Sequence, residues 1–156
     1  FIDPADNYVN YIMTAGHTSA PGNFVDRDGK ILGRHSGILH YTIGQRKGLG
    51  IALGKPTFVT EIRCAQNEIV LGDNEDLFAC EVTSADNVFA DGDSSAYNGK
   101  KVLAKVRYSA PPSEAVIRID GNRIKTVFEK PQRAITPGQS VVFYDEEKLL
   151  GGGFIV

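Results

Sequence analysis

Two-residue alternation runs through Lys101-Val102-Leu103-Ala104-Lys105-Val106-Arg107-Tyr108. One face of a strand with this sequence carries Val102, Ala104, Val106 and Tyr108. Because successive side chains of a strand point to opposite faces, burial of that face leaves three cations on the other. The stretch therefore predicts a β-strand with one buried face and one basic, solvent-facing side.

Similar patterns continue toward the C-terminus. Further strands are predicted at Glu114–Ile119, Ile124–Phe128, Ser140–Tyr144 and Leu149–Val156. The segment Asp120-Gly121-Asn122-Arg123 is typical of a hairpin turn. Strands that close on themselves would leave no open edge, so residues 86–156 are expected to form a C-terminal β-barrel. Three glycines in the last strand, Gly151–Gly153, predict a bulge or the close approach of another backbone.

The preceding part of the chain is also rich in strand and turn signals. Strands are predicted at Asn23–Val25, Lys30–Leu32, Gly37–Ile43, Thr57–Ile62, Glu68–Leu71 and Ala79–Thr83. No helical period occurs among them, so residues 21–85 are expected to form a central β-domain. The small and polar residues of Asp86–Lys101 indicate a loop between the two modules.

A short helix is predicted before these strands. Asp3 and Pro4 suit a helix start, Tyr11 lies on an apolar stripe, and Gly16 suits a stop, which together favour a helix over Pro4–Ala15. The expected fold class is all-β, with two small β-barrel-like modules and one short N-terminal helix.

Composition narrows the classes of protein. Of the 156 residues, 42% are hydrophobic, and no apolar run approaches the length of a membrane span, which favours a cytoplasmic protein without a membrane partner. The net charge of −2 argues against binding nucleic acid by bulk charge. Residues 96–156 nevertheless hold 10 Lys and Arg against 6 Asp and Glu, whereas residues 1–95 hold 7 against 13. An anionic partner is therefore expected at the C-terminal part.

The sequence shows little catalytic equipment. It lacks a P-loop and the HExxH and GxSxG motifs, and we assign no catalytic and no metal-ligating residue. Cys64 and Cys80 have no zinc-ligand spacing and are predicted to be buried thiols.

Two stretches suggest a binding surface instead. Arg107 could contact a phosphate while Tyr108 stacks on a base, but the residues alone favour the alternative that Tyr108 lies in the core and Arg107 is merely exposed. The second stretch is Gln45-Arg46-Lys47, which lies between glycines. It is consistent with phosphate or nucleic-acid contact, and equally with a solvated hairpin tip.

Three blocks of sequence carry a resemblance to a known family. They are Gly37–Ile51, Val106–Tyr108, and Ala134–Tyr144 followed by Leu150–Ile155. In this order they resemble the central and C-terminal domains of bacterial tRNA-specific 2-thiouridylases. The resemblance implies an enzyme that replaces the 2-oxygen of the wobble uridine of tRNA with sulfur.

The resemblance also implies parts that this sequence does not contain. Family members bind ATP in an N-terminal catalytic domain with a Ser-Gly-Gly-Val-Asp-Ser motif and deliver sulfur from a cysteine persulfide. Neither that motif nor a matching catalytic cysteine occurs here, so residues 1–20 are expected to lead in from a missing catalytic domain. We expect a catalytically inert portion without a cofactor of its own. Its expected partners are the tRNA anticodon arm, that N-terminal domain and, for the whole enzyme, a sulfur-donor protein.

Candidate site residues follow from the matching blocks. The resemblance implies RNA binding by Arg107, Tyr108 and Gln139, and either RNA binding or domain docking by Gln45, Arg46 and Lys47. The alternative is a stand-alone RNA-binding or protein-docking β-barrel module.

Overall fold

The computed structural model describes residues 8–156, with side chains from residue 11 onward. The predicted helix is present as α1, Tyr8–Thr14, and its expected cap at Asp3 and Pro4 lies outside the described residues. Gly16, at a φ of 89°, lies just beyond its end. The backbone N–H of His17 donates to the carbonyl of Ile12 at 3.2 Å there. No helix within residues 8–156 has the length and apolar character needed to cross a membrane.

The chain divides into two compact units between Leu77 and Phe78. This division lies ahead of the predicted boundary between residues 85 and 86. The difference arises because one twelve-residue strand, β5, runs without interruption over Phe78–Phe89. The predicted loop Asp86–Lys101 is therefore partly strand.

The first unit contains a four-stranded sheet. Its strands are β1, Gly22–Val25; β2, Ile31–His35; β3, Phe58–Arg63; and β4, Glu68–Gly72. Their order is β2-β1-β4-β3, with β1 and β4 parallel and the outer pairs antiparallel. The predicted turn between β1 and β2 is held by Asp26, whose carboxylate accepts from the backbone N–H groups of Asp28 and Lys30.

The strand predicted at Gly37–Ile43 is wrong. Ile38–His40 forms a single 3-10 turn, in which the N–H of Tyr41 donates to the carbonyl of Ile38 at 3.2 Å. Gly37, at a φ of 131°, bends the chain before this turn. Tyr41 is buried and packs edge-on against Phe24, with ring centroids 5.2 Å apart. A turn thus buries Tyr41, although the alternation of the residues around it predicted a strand.

The second unit is a closed six-stranded barrel, which confirms the all-β fold class. Besides β5, its strands are β6, Lys101–Lys105; β7, Ser113–Asp120; β8, Arg123–Arg133; β9, Ser140–Asp145; and β10, Lys148–Ile155. They close in the order β10-β5-β8-β7-β6-β9. The predicted strand Ala79–Thr83, expected in the central module, belongs to this barrel as part of β5.

The barrel interior is filled by the inward face of the alternating strands. Its buried core includes Val102, Ala104, Val106, Ile117 and Phe143. The close approach predicted at Gly151–Gly153 is confirmed, because a methyl group on Gly152 would lie 2.5 Å from the carbonyl oxygen of Val141. Methyl groups on the two flanking glycines would collide with β5.

The two cysteines are exposed and unpaired, so their predicted burial is wrong. Cys64 begins a 3-10 turn, Cys64–Gln66, after β3 ends. Cys80 lies in the first, exposed part of β5, whose burial begins only at Val82. The small size of a thiol does not by itself indicate which face of a strand it occupies.

Candidate nucleic-acid interface

A groove of about 410 Å³ lies on the outer wall of the barrel. We call it the wall groove. Its lining includes Lys105, Arg107, Tyr108, Gln139, Val142 and Tyr144. The groove thus brings together Arg107, Tyr108 and Gln139, the residues that the sequence singled out in two separate blocks.

Tyr108 reaches this groove because β6 ends early. The strand stops at Lys105, and the backbone N–H of Ala110 donates to the carbonyl of Arg107 at 3.2 Å to form a turn. The turn places Tyr108 outside the barrel with 98% of its surface exposed. The alternative that Tyr108 belongs to the core is therefore wrong.

Lys105 is a groove residue that the sequence analysis did not select. Its Nζ lies 5.8 Å from the centroid of the Tyr108 ring, within the range of a cation–π interaction. The sequence pattern that could have indicated Lys105 is the alternation of β6, which places this residue on the basic face of the strand. A charged nitrogen and an exposed aromatic ring are thereby held side by side.

Arg107 is half-buried at the edge of the groove. Its Nε is buried and has no hydrogen-bond partner among the described residues. Neither Arg107 nor Lys105 forms an ion pair with any carboxylate of residues 11–156, whose side chains the structure describes. Two positive charges are consequently available to an anion in the groove.

Gln139 is presented by a tight turn before β9. Its backbone N–H donates to the carbonyl of Thr136 at 3.2 Å, and Gly138 adopts a φ of 83° within the turn. Two backbone hydrogen bonds with Ile155 of β10, of 2.7 and 2.9 Å, fix the turn to the barrel. The exposed Gln139 side chain, which has no hydrogen bond in the described structure, is therefore carried on a fixed backbone.

The candidates Gln45, Arg46 and Lys47 lie in the first unit and not in the wall groove. Gln45 stabilises its own loop, since its Oε1 accepts from the N–H of Thr42 and its Nε2 donates to the carbonyl of Lys47, each at 3.0 Å. Arg46 and Lys47 are exposed. Arg46 lines a separate groove of about 370 Å³ together with Lys55.

Known families match both units. The profile of the tRNA methyl transferase PRC-barrel domain matches residues 10–73, and that of the aminomethyltransferase β-barrel domain matches residues 81–155. A tRNA-specific 2-thiouridylase of Clostridium botulinum is 56% identical over 135 residues, which make up 86% of this chain and 38% of the relative. The chain belongs to the tRNA-specific 2-thiouridylase family.

Other thiouridylases match nearly the whole chain. The enzyme of Clostridium beijerinckii is 51% identical over 152 residues, and that of Lachnoclostridium phytofermentans is 49% identical over 155 residues. These matches cover 96% and 98% of this chain, but only 42% and 43% of the two thiouridylases. The chain thus spans about two fifths of the length of these relatives, and the family expected from the sequence blocks is confirmed.

Proposed function

We propose that this chain binds and positions tRNA for an enzyme that converts the wobble uridine to 2-thiouridine. In this proposal the wall groove receives single-stranded RNA of the anticodon arm. One observation carries the proposal: Arg107, Tyr108 and Gln139, taken from separate sequence blocks, line one groove. The family membership of the chain supplies the class of RNA.

The groove offers the contacts that single-stranded RNA requires. Lys105 and Arg107 can bind phosphate oxygens, and the exposed ring of Tyr108 offers a surface for base stacking. The amide of Gln139 carries both donors and an acceptor, which suits the edge of an unpaired base. Phosphate contacts would fix the position of the RNA, while the ring and the amide would contact its bases.

The chemical step belongs to other parts of the enzyme in this proposal. The chain spans about two fifths of its relatives and lacks the Ser-Gly-Gly-Val-Asp-Ser motif. We therefore place ATP binding and the persulfide in an N-terminal catalytic domain, served by a sulfur-donor protein in the cytoplasm. The residues of this chain hold the RNA while its target uridine leaves the stack.

The loop of Gln45–Lys47 has a second proposed role. Because Gln45 bonds within the loop, Arg46 and Lys47 are presented on an ordered backbone rather than on a mobile tip. These cations would contact either the RNA backbone or the catalytic domain. Substitution of both by alanine distinguishes the two, since loss of a domain contact lowers catalysis without lowering tRNA affinity.

The test uses the full-length enzyme with Arg107→Ala and, as a matched control, Arg118→Ala. Arg118 is an exposed arginine of β7 outside the wall groove. We expect Arg107→Ala to weaken tRNA binding by about 1–3 kcal/mol, as for a lost charged contact, and Arg118→Ala to leave it unchanged. Equal affinities of the two variants would remove the wall groove from the RNA-binding surface.

A second experiment tests whether the chain is inert alone. The isolated chain, incubated with tRNA, ATP and a sulfur donor, should form no 2-thiouridine, whereas the full-length enzyme should form it. Turnover by the isolated chain would overturn this part of the proposal. Binding of tRNA by the isolated chain as tightly as by the full-length enzyme would instead favour the stand-alone module.

A further inference from the structure

A second groove adjoins the wall groove on the same side of the barrel. We call it the acidic groove; its volume is about 380 Å³, and its lining includes Lys101, Leu103, Glu114, Tyr144, Asp145 and Glu146. Tyr144 lines both grooves. The two therefore meet at this ring.

The strand register shows that the grooves follow one another along β6 and β9. Lys105 pairs with Val142, and Leu103 pairs with Tyr144. These residues alternate with buried neighbours, so their side chains share the outer face of the wall. Lys101 lies four residues from Lys105 on the same face, a separation of about 13 Å along a strand.

The two grooves differ in the sign of their charge. The wall groove is lined by two cations and by no carboxylate. The acidic groove is lined by three carboxylates and one lysine, and that lysine, Lys101, already forms an ion pair with Glu129 at 3.3 Å. The hydrogen bond from Lys101, followed by one from Glu114, also holds the pKa of Glu129 below its usual value.

We infer that the acidic groove ends the RNA path on the barrel, so that a strand bound in the wall groove stops or turns away at Tyr144. This inference rests on the proposed function. Phosphates continuing along β6 and β9 would meet Glu114, Asp145 and Glu146 at close range. At physiological ionic strength, charges interact over about 8 Å. This is shorter than the separation of about 13 Å between Lys105 in the wall groove and Lys101 in the acidic groove. Each groove therefore acts on its own part of the RNA. Repulsion at one end sets the register of the bound strand, as unfavourable contacts do in other specific complexes.

The test compares Glu114→Gln/Glu146→Gln with wild type in the full chain. The matched control is Glu75→Gln/Asp120→Asn, which makes the same change of charge at exposed positions outside both grooves. The probes are oligouridylates of about four nucleotides and of about sixteen, the range of site sizes for small β-barrel binding modules. Affinity is measured by fluorescence anisotropy at physiological ionic strength.

We expect the long oligonucleotide to bind the Glu114→Gln/Glu146→Gln variant about two- to fivefold more tightly than wild type, a typical range for surface charge interactions. The short oligonucleotide should gain less, because fewer of its phosphates can reach the acidic groove. An unchanged affinity for the long probe, or an equal gain in the control, would overturn the boundary. A different measurement would contradict the proposed function itself: an Arg107→Ala variant that binds the short probe as tightly as wild type does.

Discussion

The ammonium group of Lys105 lies 5.8 Å from the centre of the Tyr108 ring. The two residues belong to different local structures, since Lys105 ends β6 and Tyr108 lies in the turn that follows. Their pairing orients an aromatic ring that is 98% exposed and has no role in the barrel core. Such a ring is expected to matter for binding and not for stability.

Tyr108→Ala should therefore weaken RNA binding without destabilising the barrel. Loss of one base-stacking contact costs about 1–3 kcal/mol of binding free energy. Tyr108→Phe keeps the aromatic face and should bind nearly as well as wild type. Binding isotherms and thermal unfolding of the three proteins check this, and a Phe variant as weak as the Ala variant would assign the contact to the hydroxyl group.

Gly152→Ala should destabilise the barrel. The added methyl group would lie 2.5 Å from the carbonyl oxygen of Val141, and the backbone of β9 would have to move. Overpacking of this kind costs about 1–3 kcal/mol in unfolding free energy. The control is Gly138→Ala, where nothing lies within 4 Å and only the positive φ of 83° opposes the substitution. Equal stability of the Gly152→Ala variant and wild type in urea unfolding would show that the strands are not packed this closely.

His35 should make the stability of the first unit depend on pH. The N–H of Gly37 donates to its Nδ1 at 3.0 Å, so the proton resides on Nε2, which donates to the carbonyl of Asn67 at 3.2 Å. Burial lowers the pKa of His35 below 6.5, the nearby charge of Arg34 lowers it further, and the bond to Asn67 opposes this shift. Protonation at Nδ1 would replace the Gly37 hydrogen bond with two facing donors.

The sign follows from the lowered pKa of His35. Above pH 6.5, His35 is neutral in both the folded and the unfolded chain, and the full stability is present. As the pH falls below 6.5, His35 of the unfolded chain binds a proton first, so the free energy of unfolding decreases. The decrease ends once the pH is below the pKa of His35 in the folded chain. Urea unfolding followed at pH values on both sides of 6.5 measures this decline. His35→Gln should reduce the pH dependence of stability. A wild-type profile that is flat below pH 6.5 would contradict the assignment.

Gln45→Ala should loosen the loop of the first unit. It removes the two side-chain hydrogen bonds of Gln45 with Thr42 and Lys47, each worth about 1 kcal/mol in net stability. Hydrogen exchange at the amide of Thr42 should accelerate in this variant. Arg46→Ala is the matched control and should leave exchange unchanged, because the exposed Arg46 makes no hydrogen bond in the described structure. Similar exchange in both variants would show that Gln45 does not hold the loop.

Alternation predicted strands well where both faces of the strand differ in polarity. The barrel strand that begins at Lys101 was predicted for this reason, and its buried face is formed by Val102 and Ala104. The same rule failed at Gly37–Ile43. There a 3-10 turn that follows Gly37, a glycine with positive φ, buries Tyr41 as well as a strand would. Period alone does not report the backbone angles that distinguish the two.

The site was predictable in its members but not in its geometry. Arg107, Tyr108 and Gln139 were selected from the sequence, yet their meeting depends on the pairing of β6 with β9 and on the turn that ends β6. Lys105 was missed because its role depends on where Tyr108 emerges from the strand. The acidic groove was likewise hidden, since Glu114 and Asp145 are distant in sequence and meet only through the barrel.

The most direct test of RNA binding in the wall groove is amide chemical-shift mapping with a short oligouridylate. RNA binding in the wall groove predicts that the largest shifts fall in two separate segments, Lys105–Tyr108 and Gly138–Ser140, and that Tyr108→Ala reduces both. Shifts confined to other parts of the barrel, or no shifts at concentrations that saturate the full-length enzyme, would contradict it.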